Sequence, residues 1–409
     1  MSSATLTASP ENTAASIRAI LAGLCASLVG IGLARFAYTP LIPALIDAHW
    51  FAVADVIYLG AANLIGYLAG ALLGRPLARR VHARSILRCM MLLASLAFFA
   101  CAFPLSLSWY FVWRFLSGLA GGCIMVLVAS TVLPHVPARR RGLAGGAIFL
   151  GVGLGVAASG TLVPVLMQFG LRLTWIGIGL LSLLLSLLTW SFWPANGPAE
   201  TPAIAVRAAV PAAGAPRGLN SLFLQYALMA VALVPMMVFL VDYVARGLGW
   251  GTQTAALFWV VYGLGAIAGP MLYGALADRI GAGLTSHLAL WLQALALGAM
   301  LVTQQYFVLI VAVFVVGTFP PGIVPITLGR LHQLLPGDAA AQSAAWSKAT
   351  TAFALFQALA GYGYSYLFSR SGGNYHALLL TAIAALLLAL LVDGVDKVRG
   401  SRPCLGRGK

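Results

Sequence analysis

Twelve long apolar stretches dominate the 409-residue chain and restrict what it can fold into. A helix needs about 20 mainly apolar residues to cross about 30 Å of hydrocarbon, and each stretch meets that requirement. Only 8% of the residues are charged, against about 25% in soluble proteins. Transmembrane β-strands would alternate apolar and polar residues, whereas the run from Leu180 to Leu188 does not alternate. We therefore predict an all-α membrane protein with about 12 transmembrane helices. The predicted spans are 17–46, 52–74, 86–106, 109–133, 143–168, 172–193, 219–244, 252–276, 284–303, 306–331, 343–368 and 373–393.

The basic residues are distributed unequally between the two sides of these spans. Nineteen of the 24 Lys and Arg residues fall on one side, Arg172, Arg246 and Arg370 fall on the other, and Arg35 and Arg114 lie inside spans. Because cytoplasmic loops carry the excess of Lys and Arg, the pattern predicts a bacterial inner-membrane protein with both termini in the cytoplasm. The net charge of +15 is then an orientation signal. The sequence has no basic face with interleaved aromatic residues, so we expect no nucleic acid partner.

One break between spans differs from the others in composition. Residues 194–218 are rich in Pro and Ala, which is typical of an extended connector. This break separates the first six spans from the last six. The predicted segments are a cytoplasmic N-terminal tail (1–16), a six-helix bundle (17–193), a cytoplasmic linker (194–218), a second six-helix bundle (219–393) and a basic cytoplasmic tail (394–409).

The two halves also repeat each other in sequence. A shift of 199 positions aligns small residues and a charged turn at the ends of the second and eighth spans. The aligned pairs include Gly66 with Gly265, Gly70 with Gly269, Leu77 with Leu276 and Arg80 with Arg279. Such a pattern is expected of a transporter built from two parallel six-helix repeats.

Three motifs resemble those of the major facilitator superfamily. Gly274 to Gly281 reads Gly-Ala-Leu-Ala-Asp-Arg-Ile-Gly and resembles the loop signature of that family, although the first half has Arg79 in place of the Asp. The segment from Arg114 to Gly118 resembles its Arg-x-x-x-Gly motif, and GLARFAYTPLIP (32–43) resembles the YbfB/YjiJ-type bacterial branch. The resemblance covers essentially the whole chain. It implies two six-helix bundles related by pseudo-two-fold symmetry and secondary transport by alternating access.

The loop signature implies a gating role for three charged residues. Asp278 and Arg279, with Arg80 at the matching first-half position, are expected to act at the cytoplasmic gate. They would pair with a neighbouring helix end or its dipole in one conformation and release it in the other. A plain charged turn is the alternative interpretation.

Two arginines lie inside spans that line the central cavity of the resembled fold. An ionised side chain in a membrane span is costly and normally faces the bundle interior, so Arg35 and Arg114 are candidates for the cavity. Asp47, Asp55 and Asp242 lie near the outer ends of their spans and are the candidate coupling carboxylates. Because no acid lies at mid-membrane, we expect an anionic or neutral solute rather than a cationic drug. The alternative is that the arginines pair with rim aspartates or free backbone carbonyls.

Other polar and aromatic residues within the spans are candidates for lining the same cavity. Pairs that lie three or four residues apart share a helix face. Hydrogen bonding between helices is the alternative for any one of them. The candidates are Tyr38, Asn63, Tyr67, Gln225, Tyr226, Trp259 and Tyr262.

These features together predict a proton-coupled exporter of a small organic solute. Proton-coupled uptake and a transporter-like membrane sensor without flux are the alternatives. An enzyme is not expected, because the six histidines lie mostly in loops and the HExxH and GxSxG motifs are absent. The five cysteines lack metal-type spacing, so we expect neither a metal nor a cofactor. The expected partners are the solute and the lipid bilayer, with a monomer as the functional unit.

Overall fold

The computed structural model describes residues 10–137, 141–194, 218–336 and 338–400, and all regular structure in them is helical. The α-helices are α1 (Pro10–Ser27), α2 (Ala34–Phe36), α3 (Ile42–Asp47), α4 (Val53–Ala78), α5 (Ala83–Cys101), α6 (Leu107–Val132), α7 (Arg141–Met167), α8 (Leu171–Leu188), α9 (Leu219–Asp242), α10 (Gly251–Ile280), α11 (Ala282–Val302), α12 (Tyr306–Leu334), α13 (Ala339–Arg370) and α14 (Tyr375–Gly400).

The helices match the predicted membrane spans. Eleven helical stretches within the described residues are long and apolar enough to cross a membrane. The remaining predicted span corresponds to α13, whose 32 residues extend about 48 Å at 1.5 Å per residue. This helix is less apolar because it carries residues such as Lys348 and Gln357. The prediction of an all-α membrane protein with about 12 spans is confirmed.

Several helices extend beyond the apolar stretches. Helix α1 begins at Pro10 and α14 ends at Gly400, seven residues outside the predicted spans. Hydropathy marks the part of a helix that crosses hydrocarbon, and the helix itself continues into the polar region. The predicted linker 194–218 lies outside the described residues except at its two ends. Residues 1–9 and 401–409 of the predicted tails also lie outside them.

The first crossing is not a continuous α-helix. Pro40 and Pro43 lack the N–H group that would bond a carbonyl one turn earlier, and π- and 3₁₀-helical turns interrupt the regular pattern. In order, this crossing consists of α1, a π-helix (Leu28–Leu33), α2, a 3₁₀ turn (Thr39–Leu41) and α3. In its middle, where the helix type changes, the carbonyl of Ala34 accepts hydrogen bonds from side chains of neighbouring helices.

The helices form two bundles that correspond to the two sequence halves. In the first bundle α6 packs on α4 and α5, α5 on α8, and α7 on α1. In the second bundle α12 packs on α10 and α11, and α9 on α13 and α14. The bundles meet along two helix pairs, α7 with α10 and α4 with α13. Because twelve crossings are an even number, α1 begins and α14 ends at the same face of the membrane, which we call the terminal face. We call the other membrane face the opposite face.

Glycines allow α4 and α6 to pack in backbone contact. A Cβ atom on Gly66 would overlap the carbonyl oxygen of Phe115, and one on Gly118 would overlap that of Asn63. Small residues at such positions let membrane helices approach closely. The contact between α4 and α6 therefore depends on the absence of these two side chains.

The same contact recurs in the second bundle between α10 and α12. A Cβ atom on Gly265 would overlap the carbonyl oxygen of Phe314, and one on Gly317 would overlap that of Tyr262. Each of these four residues lies 199 positions after its counterpart in the first bundle. The sequence repeat is thus a repeat of helix packing as well.

Substituting the paired glycines tests this packing. Gly118→Ala and Gly317→Ala each force a backbone carbonyl away, and we expect each to destabilise the fold by about 1–3 kcal/mol. The measurement is the melting temperature of purified protein in detergent. Gly298→Ala is the control, because nothing lies within 4 Å of its added Cβ. Equal melting temperatures for all three variants would contradict the packing argument.

Candidate functional site

The carbonyl oxygen of Ala34 is the centre of a hydrogen-bond cluster that joins the first crossing to α4 and α6. It accepts hydrogen bonds from Arg114 Nη1 (3.0 Å), Ser117 Oγ (3.1 Å) and Asn63 Nδ2 (3.5 Å). The Arg114 guanidinium also lies over the Tyr38 ring, with its Cζ atom 4.1 Å from the ring centroid. Arg114 is only 2% exposed. The structure thus binds this cation to a backbone carbonyl and an aromatic face within its own bundle.

The neighbouring Arg35 has a different environment. Its Cζ atom lies 4.9 Å from the centroid of the Tyr67 ring and 5.8 Å from that of Phe36. The side chain is half-buried, but its Nε and Nη2 atoms are buried and have no hydrogen-bond partner among the described residues. Tyr262 of the second bundle is a neighbour of Arg35 across the interface. Arg35 is therefore a cation at the bundle interface with free donors.

Two aromatic side chains of α10 lie near the first crossing, Trp259 beside Phe36 and Tyr262 near Arg35. Trp259 and Tyr262 stack with their ring centroids 4.9 Å apart and their planes 3° from parallel. Trp259 donates a hydrogen bond from Nε1 to Ser159 Oγ of α7 (2.8 Å), and its ring lies 6.2 Å from that of Phe36. The Tyr262 hydroxyl is buried and has no partner within the described part of the chain. These rings bring the two bundles together at the level of Arg35.

The adjacent candidates Gln225 and Tyr226 on α9 face different neighbours. Tyr226 is buried against the Phe353 ring, with centroids 4.5 Å apart, and has Tyr67 as a neighbour across the bundle interface.

Gln225, in contrast, bonds within the second bundle. It donates from Nε2 to the carbonyl of Ala389 on α14 (3.2 Å) and accepts a hydrogen bond from Arg330 of α12. The structure therefore brings Tyr226, but not the Gln225 amide, toward the site.

Both arginines line one small cavity between the bundles. Its volume is about 10 Å³, roughly enough for one water molecule. The lining residues are Arg35, Tyr38, Thr39, Gly60, Asn63, Leu64, Arg114, Met237 and Val238. The bundles are also joined toward the opposite face, where Thr39 Oγ1 donates to the carbonyl of Met237 (2.7 Å) and the Tyr58 and Tyr362 rings lie 6.0 Å apart. These contacts join the two bundles on the opposite-face side of the cavity.

The three candidate carboxylates differ in burial. Asp47 is exposed and Asp55 is half-buried in the first turn of α4. Asp242 is 0% exposed. Its Oδ2 accepts a hydrogen bond from the Tyr375 hydroxyl (2.6 Å), and its Oδ1 lies 3.3 Å from Nε of Arg246. In the residues that the structure describes, neither arginine of the central cavity has a carboxylate partner.

The three candidate gating residues lie together at the terminal face. Arg80 follows the end of α4, and Asp278 and Arg279 lie in the last turn of α10. All three side chains are exposed. Asp278 and Arg279 form no ion pair with other described residues in this conformation.

Sequence reasoning missed the partners that fix the site. Ser117 lies three residues after Arg114, so helical periodicity places both on one face of α6, and this signal was available. The available carbonyl of Ala34 has no direct signal, because Pro40 and Pro43 remove the N–H groups that would bond the carbonyls of Phe36 and Thr39. Ser159 has no signal, because its role depends on how α7 meets α10.

Comparison with known proteins identifies similar membrane transporters. The family model described as "Uncharacterised MFS-type transporter YbfB" matches residues 27–393, which confirms the resemblance found in the sequence. A relative, the 4-hydroxybenzoate transporter PcaK of Acinetobacter baylyi, is 32% identical over 135 residues. That alignment covers 33% of this chain and 30% of the relative, so the chain spans about a third of the relative's length.

A solved structure shows the same fold. It is the crystal structure of a bacterial homolog to the human lysosomal transporter Spinster, in an inward-facing and occupied conformation. The match has a TM-score of 0.69 at 14% identity and covers 96% of this chain and 97% of that chain.

The Ala34 cluster generates a stability prediction. Arg114→Ala removes a charge-assisted hydrogen bond and leaves a cavity, and we expect it to lower the free energy of unfolding by about 1.5–3 kcal/mol. Ser117→Ala removes a neutral bond and should cost about 0.5–1.5 kcal/mol. Melting temperatures in detergent rank the variants against Arg172→Ala, which alters an exposed side chain. If the melting temperature of Arg114→Ala equals that of the Arg172→Ala control, the cluster has no structural role.

Proposed function

Since the chain belongs to the YbfB-type family of MFS transporters, we propose that it exports a small organic anion by alternating access of the central cavity. The observation that carries this proposal is the pair Arg35 and Arg114, which line one cavity between the bundles. Neither has a carboxylate partner in the described part of the chain. An anionic solute supplies the missing negative charge.

The energetic cost of a buried cation supports an anionic substrate. Guanidinium groups inside a membrane normally pair with another group or line a substrate path. Arg114 is bonded to Ala34 and lies against the Tyr38 ring, which leaves its Nε without a partner among the described residues, whereas Arg35 has two such atoms, Nε and Nη2. Guanidinium binds carboxylates with short, charge-assisted hydrogen bonds. The relative PcaK, which aligns with this chain over 135 residues, is described as a transporter of 4-hydroxybenzoate. That compound is a carboxylate, which agrees with this substrate class.

Export agrees with the proposed orientation. We place both termini in the cytoplasm because the terminal face carries exposed arginines such as Arg79, Arg80 and Arg279. The opposite face then lies outside a bacterial inner membrane. The electrical free energy of a monovalent anion falls by about 2.3 kcal/mol per 100 mV when it leaves an inside-negative cell. The membrane potential therefore favours export. A monomer suffices, since both bundles of the site belong to one chain.

Asp242 is our candidate for the proton-coupling group. It is buried near the opposite face and bonded to Tyr375 and Arg246. A carboxylate enclosed in this way can hold or release a proton only when its surroundings open, which is what coupling to a conformational change requires. Entry of protons there would accompany exit of the anion.

Flux through purified protein in proteoliposomes tests the proposed function. Arg35→Ala removes the free cation, and we expect export of organic anions to fall roughly ten- to hundredfold, equivalent to about 1.5–3 kcal/mol for hydrogen bonds to a charged group. Arg172→Ala, at an exposed site, should retain full flux. The proposal fails if Arg35→Ala transports anions at the rate of the control, or if the parent protein carries none.

Asp242→Asn tests the coupling. The amide keeps an acceptor for Tyr375 but cannot carry a proton. We expect exchange of labelled against unlabelled substrate to persist, while export driven by an imposed pH gradient falls to the level without a gradient. Asp47→Asn and Asp55→Asn are the matched controls. If one of these controls loses gradient-driven export while Asp242→Asn retains it, the proposal for Asp242 is wrong. The coupling group is then the aspartate changed in that control.

A further inference from the structure

The two free nitrogen atoms of Arg35 belong to one edge of its guanidinium group. Nε and Nη2 point their N–H groups in nearly the same direction, and both atoms are buried without a partner among the described residues. A carboxylate accepts two such parallel hydrogen bonds with its two oxygen atoms. The free edge therefore matches one carboxylate.

Arg114 does not provide a second site of this kind. Its Nη1 atom is already bonded to the carbonyl of Ala34, its Cζ atom lies against the Tyr38 ring, and its Nε atom is buried without a partner among the described residues. A dicarboxylate or a phosphate would present further charge, and Arg114 would meet it with a single N–H group at Nε rather than with a second two-atom edge. The arrangement favours a monocarboxylate.

Aromatic rings lie near the Arg35 guanidinium on both sides of the bundle interface, beyond Met237 and Val238, which line the present cavity on the second-bundle side. Tyr67 lies under the guanidinium on the first bundle, and the stacked Trp259 and Tyr262 lie on the second. Tyr226 adds a further ring near Tyr67. Aromatic rings contact one another in offset or edge-to-face geometry with an energy beyond simple burial. Such walls favour a substrate with a flat aromatic body.

The internal repeat isolates Tyr262 as a second recognition group. It lies 199 positions after Asn63, whose amide donates to the first bundle at Ala34, Arg114 and Ser117. The Tyr262 hydroxyl is equally buried, with Tyr262 only 1% exposed, yet it has no partner among the described residues. At the first-bundle position the Asn63 Nδ2 atom is used within the bundle and its Oδ1, an acceptor only, is unpartnered among the described residues. The second-bundle equivalent offers a hydroxyl that can donate to a polar group of the substrate.

We infer that the central site takes an aromatic monocarboxylate, which Arg35 binds bidentately through Nε and Nη2 while its ring lies between Tyr67 and the Trp259–Tyr262 stack. This inference rests on the proposed function as an anion transporter. The cavity of about 10 Å³ is too small for such a molecule, so the substrate enters when the bundles separate. The rings then close around it.

Binding to the full-length protein in lipid nanodiscs tests this substrate class. Isothermal titration compares 3-phenylpropanoate with 3-cyclohexylpropanoate, which keeps the charge but lacks the aromatic ring, and with uncharged 3-phenylpropanamide. We expect the cyclohexyl compound to bind about two- to tenfold more weakly, as loss of ring contacts predicts. The amide should show no measurable binding, because it carries no charge for Arg35.

Two variants test the assigned contacts. Arg35→Lys keeps the charge but not the two-atom edge, and we expect Kd for 3-phenylpropanoate to rise at least about tenfold. Tyr262→Phe keeps the ring and should raise Kd about two- to tenfold. Arg370→Lys is the control, because this exposed arginine donates from Nε to Tyr366 (3.1 Å) away from the cavity. Its Kd should match that of the parent protein.

The outcomes separate this inference from the proposed function. Equal binding of the phenyl and cyclohexyl compounds, or unchanged Kd in both Arg35→Lys and Tyr262→Phe, overturns the aromatic monocarboxylate. Anion flux in proteoliposomes that depends on Arg35 would still support the proposed function in that case. Absence of binding and flux for every organic anion overturns both.

Discussion

The break in the first crossing is the constraint on which the central site depends. The crossing changes from a π-helix to a short α-helical turn at Ala34, and the carbonyl of Ala34 accepts hydrogen bonds from side chains of α4 and α6. Arg114 supplies a charge-assisted bond to this carbonyl, so its cation is used to join helices. Arg35, the next residue after Ala34, makes no such bond, and its Nε and Nη2 atoms have no partner among the described residues. The two adjacent residues of the first crossing thus differ in role: the carbonyl of Ala34 holds Arg114, while Arg35 presents a free two-atom edge.

The internal repeat provides a scaffold in which one copy can be structural and the other functional. Glycines at equivalent positions bring α4 against α6 and α10 against α12. Asn63 and Tyr262 occupy equivalent places beside these contacts, but Asn63 bonds within its own bundle while the Tyr262 hydroxyl is unpartnered among the described residues. Rigid bundles with different side chains at the shared interface are suited to rocking motions, since the packing inside each bundle remains intact while the interface opens.

The fold could be predicted from the sequence to a large extent, because membrane crossing requires long apolar stretches and the 199-residue shift marks the repeat. The two intramembrane arginines were visible for the same reason. Their different roles were not, because these depend on which carbonyl the helix break exposes and on which helix faces meet. Gln225 and Tyr226 illustrate the limit: both looked like cavity residues, yet the Gln225 amide bonds to α12 and α14, while Tyr226 approaches Tyr67. Neighbouring residues on a helix face different partners, and only the packing decides between them.

The most direct test of the central claim is an experimental structure of the full-length protein with a transported organic anion bound. The account predicts the carboxylate at the bundle interface, with its two oxygen atoms about 2.7–2.9 Å from Nε and Nη2 of Arg35, and the Arg114 bond to Ala34 retained. An anion bound outside the central cavity, or bound there by Arg114 after release from Ala34 while Arg35 makes no contact, would contradict it.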